Sequence, residues 1–179
     1  MVFIFILCIC SCASGPMRDN RPYAYLYGSA KYMLLPPENI ESSIDTAQQI
    51  SASYGGQDYF FNAWVKADVE GIEVTLLNEL GANIGEFSYR NGAASFSSPM
   101  FPKSLKPEYI VADFQLCFYN EVSLRQALED CGLSLESAET GRRILQGKTV
   151  IIEIEKSAGL VKLTNHLRGY AYSLEGEFK

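Results

Sequence analysis

The stretch Tyr59-Phe60-Phe61-Asn62-Ala63-Trp64-Val65-Lys66-Ala67-Asp68-Val69-Glu70-Gly71-Ile72-Glu73-Val74-Thr75-Leu76-Leu77 decides the fold. Tyr59, Phe61, Ala63, Val65, Ala67 and Val69 fall on one side of an extended chain, and Phe60, Asn62, Trp64, Lys66 and Asp68 on the other. A period of two is the mark of a half-buried strand. Glu70-Gly71 turns the chain, and Ile72, Val74 and Leu76 then alternate with Glu73, Thr75 and Leu77, completing a hairpin.

The same pattern extends in both directions. Upstream, Leu34-Leu35-Pro36-Pro37-Glu38 reads as a turn-rich entry, and Gln48 to Tyr54 as a first strand closed by Gly55-Gly56. Downstream, Asn78 to Gly81 turns into a strand through Phe87 and Tyr89, and the hairpin dipeptide Asn91-Gly92 leads to Ala94–Ser98. The pattern changes at Pro99. Pro107 and Glu108 suit a first helical turn, and Tyr109, Ile110, Asp113, Phe114 and Cys117 recur at helical spacing. Ser123-Leu124-Arg125-Gln126 reads as a capping box for a second helix that stops at Gly132. Strands return at Leu133–Ala138, Arg142–Gln146, Val150–Glu155, Val161–Thr164 and Tyr170–Glu175. Strands, a helical insert, then strands again indicate a mainly β (α+β) domain, one large antiparallel sheet with its helices on one face.

The N-terminus carries a different message. Met1 to Cys12 has no charged residue, and Ile9-Cys10-Ser11-Cys12 fits a bacterial lipobox, with a small residue before the cut and a cysteine to be acylated. The run is too short for a membrane-spanning helix, which needs ~20 apolar residues. It lacks the basic start of an ordinary signal. The expected organisation is a lipoprotein signal peptide at 1–11, a lipidated tether at 12–22 and one domain at 23–179. Ala13-Ser14 after the cysteine, with no Asp, points to the periplasmic face of the outer membrane.

Composition narrows the function classes. A net charge of −6 repels phosphate backbones, so no nucleic-acid partner is expected. His166 is the only histidine, which excludes a multi-histidine metal site. A set of Cys117, His166 and Asp113 can be written down, but Asp113 and Cys117 sit one turn apart in a packed helix and His166 in a turn. Glu153 and Glu155 read as a solvated strand face, and Gly141-Arg142-Arg143 as a hairpin turn. No catalytic residue, metal or cofactor is expected. Cys117 and Cys131 are either a disulfide, in keeping with an oxidising compartment, or two buried thiols.

What remains is the apolar face. Phe61, Val65, Val74, Leu76, Phe87, Tyr89, Ile152, Leu163, Tyr170 and Tyr172 from the strands, with Tyr109 and Phe114 from the first helix, are expected to face one interior. They form either an ordinary core or, if short helices fail to fill a wide curved sheet, the lining of an apolar cavity.

Three segments in order, Leu77-Asn78-Glu79-Leu80-Gly81, Pro107 through Leu116, and Val161-Lys162-Leu163-Thr164-Asn165 through Gly169-Tyr170, resemble a family of small proteobacterial outer-membrane lipoproteins often associated with aryl-polyene lipid gene clusters. Glu79 and Phe118-Tyr119-Asn120 depart from its usual pattern. The resemblance implies a LolA/LolB-like fold, a single curved antiparallel sheet forming an incomplete β-barrel with two or three helices on the concave face. It also implies an acyl, aryl-polyene or lipoprotein cargo, membrane lipid being engaged through the anchor. The alternative is a non-catalytic envelope scaffold with a fully packed core. If Cys12 is the anchor, labelled palmitate enters the chain in growing cells, and Cys12→Ser abolishes that labelling and releases the protein from the membrane fraction.

Overall fold

Turns, more than strand composition, set the pairing. The computed structural model describes residues 21–101, 103 and 105–177, so the expected signal, Cys12 and the tether as far as Asn20 lie outside the described residues. A small hairpin comes first, β1 (Tyr23–Tyr27) and β2 (Ala30–Met33). A meander follows: β3 (Ile44–Tyr54), β4 (Gln57–Asp68), β5 (Gly71–Leu77), β6 (Asn83–Arg90) and β7 (Ala93–Ser97). Then come α1 (Pro107–Phe118) and α2 (Glu121–Glu129). A second meander closes the fold: β8 (Ser134–Ala138), β9 (Gly141–Gln146), β10 (Thr149–Ser157), β11 (Leu160–Asn165) and β12 (Tyr170–Gly176). At the β6–β7 turn Asn91 and Gly92 both have positive φ, 52° and 71°, the backbone that a two-residue hairpin with matching twist requires.

The two meanders join where β12 pairs with β3, giving one ten-stranded antiparallel sheet in the order β7-β6-β5-β4-β3-β12-β11-β10-β9-β8. It is mainly β as expected, and it is not closed into a barrel, since β7 and β8 remain its edges. β7 and β11 are six strands apart, ~29 Å in a flat sheet at ~4.8 Å per strand. Helix α1, ~18 Å long for its 12 residues, nevertheless touches both. The sheet therefore curls around α1.

Register places the expected interior residues on one face. Phe96, Phe87, Val74 and Val65 are successive cross-strand partners in one half. Tyr59, Ala52, Tyr172, Leu163 and Ile154 run through the other. Several boundaries differ from the sequence reading. β3 starts at Ile44 rather than Gln48, because it follows the full length of β4 despite its polar side chains. Val69 lies outside β4, exposed in the turn. A register shift between Val150 and Ile152 buries Ile151 beside Ile152, which breaks the simple alternation.

Residues 23–33, to which the sequence reading assigned no element, form the β1–β2 hairpin, which packs Ala24, Leu26 and Tyr32 inward and leaves Tyr23, Tyr25 and Tyr27 outside. The hairpin covers α1 from the side opposite the sheet. Every residue of α1 from Val111 to Phe118 is buried in consequence, so α1 is a central helix and not an outer lid.

Helix α2 is also capped differently from the reading. Asn120 is the N-cap, its Oδ1 accepting the Ser123 N–H at 3.0 Å. Its far end closes with Gly132 N–H on Glu129 O and Leu133 N–H on Leu128 O, the pattern of a helix ended by a left-handed glycine at φ 80°. Asn120→Ala is expected to lower stability by ~1 kcal/mol in urea unfolding. Ser123→Ala should cost less, and the opposite ranking would restore Ser123 as the cap.

Candidate apolar site on the inner face of the sheet

Burial along the inner face is uneven. Toward the ends of β4, β5 and β6 that meet the β4–β5 and β6–β7 turns, Ala67, Ile72, Val65, Phe87 and Tyr89 are buried. On the β8–β11 side Ile144, Ile152, Ile154 and Leu163 are buried as well. Between them, near the β3–β4 turn, the inward residues are only half-covered. Ile50, Ala52, Phe61, Tyr170 and Tyr172 are intermediate, and Tyr59 and Tyr54 are 38% and 62% exposed. Phe101, from the segment between β7 and α1, packs against Phe61 at 5.9 Å and Phe96 at 5.5 Å between ring centroids. The result is an apolar, aromatic entrance between the inner face and the start of α1, where Tyr109 and Ile110 are half-buried.

All twelve expected interior residues belong to this face or to α1. Val65, Leu76, Phe87, Tyr89, Phe114, Ile152 and Leu163 are buried in the core, and Phe61, Val74, Tyr109, Tyr170 and Tyr172 pack against it. Two open hollows are resolved elsewhere, one of about 260 Å³ beside Arg143, Glu153 and Glu155, and one of about 170 Å³ beside Ser51, Ser53 and Phe60. Strand alternation puts these side chains on the outer face.

Polar groups beside the entrance are organised by α1. Tyr170 donates to Asp113 Oδ2 at 2.6 Å and accepts from Asn165 Nδ2 at 3.2 Å. Burial pushes the Asp113 carboxyl up to about 7, against the lowering effects of the Tyr170 hydrogen bond and of Arg168. Arg168 is itself held, with its guanidinium 4.1 Å over the Tyr109 ring and donating to Tyr25 O at 2.6 Å. One turn along α1, Cys117 Sγ lies 3.9 Å from Tyr172 Oη, and burial raises that thiol to about 12. Cys131 donates to Leu128 O at 3.2 Å; both cysteines are free thiols.

The structure does not assemble Cys117, Asp113 and His166. His166 is exposed, with Nε2 3.7 Å from Glu153 Oε2, while the other two are buried residues of α1. A thiol raised to about 12 is a poor nucleophile at neutral pH. Among the described residues no group of three or more His, Cys, Asp or Glu is placed to hold a metal, and no helix is long and apolar enough to cross a membrane.

Sequence reasoning missed Arg142. Read as part of a hairpin turn at the start of a strand, it points inward and is buried, donating to Leu116 O at 3.0 Å and pairing with Glu41 at 3.3 Å. It thereby satisfies the carbonyl end of α1. The alternation that puts Ile144 inward also puts Arg142 inward, which was the available signal.

A raised carboxyl pKa has a definite sign. Folded Asp113 keeps its proton between about 4 and 7 while the unfolded chain releases it, so stability falls as pH rises through that window and levels off above it. The slope is ~1.4 kcal/mol per pH unit for this group alone. Asp113→Asn still accepts from Tyr170 but does not titrate. Urea midpoints at pH 5 and pH 8 should differ more in the wild type than in Asp113→Asn, and equal differences would show that Asp113 is ionised throughout.

Residues 45–175 match the family described as a protein of unknown function, DUF3261. No curated protein matches the chain. The matched span runs from the second residue of β3 almost to the end of β12, and so takes in the whole entrance, α1 and both meanders. The chain belongs to the DUF3261 family.

Proposed function

We propose that this is a lipid-anchored lipoprotein on the periplasmic face of the outer membrane that binds an apolar chain and hands it on without covalent chemistry. The chain would be the acyl or polyene part of a lipid, or the acyl chain of a lipoprotein, held against the inner face of a LolA/LolB-like incomplete barrel. The anchor is Cys12 in its lipobox. The observation that carries the reading is the half-covered entrance of Ile50, Ala52, Tyr59, Phe61, Tyr170 and Tyr172, whose side chains continue into a buried apolar core. Each methylene moved from water onto such a surface gains ~0.8 kcal/mol. Exposed apolar side chains collect at the same strand ends, with Tyr54, Leu80 and Met100 in or beside the turns around the entrance.

A second reading, an envelope scaffold with a filled core, is favoured by the tight packing around Ile144, Ile152 and Leu163 and by two hollows that open on the outer face. One experiment separates the two. Lipid extracted from the gently purified full chain should contain an apolar lipid in near-stoichiometric amount by mass spectrometry. Ala52→Trp, which fills the entrance between Tyr59 and Tyr172, should reduce it at least ~10-fold with stability changed by ~1 kcal/mol or less. No lipid in the wild type, together with a stoichiometric envelope protein in the same preparation, would establish the scaffold.

A further inference from the structure

Gln48 is the anomaly of the inner face. It points inward from the middle of β3 and is 3% exposed, and neither its Oε1 nor its Nε2 has a hydrogen-bond partner among the described residues. An unpaired buried amide is costly, and native structures contain few of them. Its position is specific. Inward side chains along β3 run Tyr54, Ala52, Ile50, Gln48, so the amide lies one pleat repeat, ~7 Å, beyond the entrance residue Ile50. It is flanked by the small residues Ala63 on β4 and Gly176 on β12. A Cβ at Gly176 would come 3.0 Å from Gln48 Cγ, so glycine is what leaves the amide its space.

We infer that Gln48 is the polar end-stop of the apolar site and binds a neutral hydroxyl on the buried end of the ligand. This rests on the proposed function. An amide offers N–H donors and a carbonyl acceptor, and a hydroxyl complements both, accepting from Nε2 and donating to Oε1. The neighbouring inward side chains Ile50, Phe61, Ala63 and Leu174 carry no charge, so a carboxylate would be buried there without a counter-ion. The ligand class is therefore an apolar chain that enters hydroxyl end first.

The test uses the full chain, with hexadecanoic acid and 16-hydroxyhexadecanoic acid competing at equal concentration in native mass spectrometry, where one oxygen distinguishes them. The wild type should favour the hydroxylated chain by ~5-fold to ~10-fold, as one or two net hydrogen bonds provide. Gln48→Met should lose that preference, still bind hexadecanoic acid, and raise the urea midpoint, because an orphaned amide has been removed. Equal binding of the two probes by the wild type, or a preference that survives Gln48→Met, overturns this inference and leaves the apolar site standing. Binding of neither overturns both. A lowered midpoint in Gln48→Met would mark the amide as a structural group with a partner of its own, and would likewise overturn the assignment.

Discussion

Everything in this fold depends on the mutual burial of α1 and the inner face of the sheet. A curled antiparallel sheet of ten strands presents one apolar face that must be covered. A single 12-residue helix covers much of it. The helix is in turn enclosed by the β1–β2 hairpin, so its own polar side chains have no solvent to face. Gln115 donates to Leu35 O at 2.7 Å and accepts from the Leu35 N–H and the Tyr32 hydroxyl. That network ties the hairpin to the helix. Asp113 performs the corresponding task toward the sheet, through Tyr170.

The two sides of α1 are thus fastened by different chemistry. Toward the hairpin, one amide makes three hydrogen bonds, all to neutral partners. Toward β12, contact is made by a carboxyl near its titration point and by a buried thiol, beside the half-covered aromatic entrance. At the carbonyl end Arg142 fixes the helix against β9.

Much of the architecture was legible because a period of two leaves little freedom. Once Phe61, Val65, Val74 and Leu76 face inward, pairing at a fixed register forces Phe87, Tyr172 and Leu163 onto the same face, as observed. What went unread was short or set by distant contacts. β1 alternates exposed tyrosines with buried Ala24 and Leu26, but it has five residues and pairs only with the four-residue β2, so its alternation is too brief to stand out in the sequence. Asn120 rather than Ser123 caps α2 because the helix begins directly after α1, and that junction is set by the isolated bridge of Ile40 with Tyr119.

The sequence by itself determined the strand–helix–strand order and the face to be buried, because alternation and turn dipeptides are local signals. Only the tertiary structure decided that α1 is central, that Arg142 is buried and that the buried Gln48 amide has no hydrogen-bond partner among the described residues. Each of these depends on which distant strand arrives opposite a given residue. Pairing β12 with β3 brings Gly176 beside Gln48 and Tyr172 beside Ala52, and no window of local sequence contains that contact.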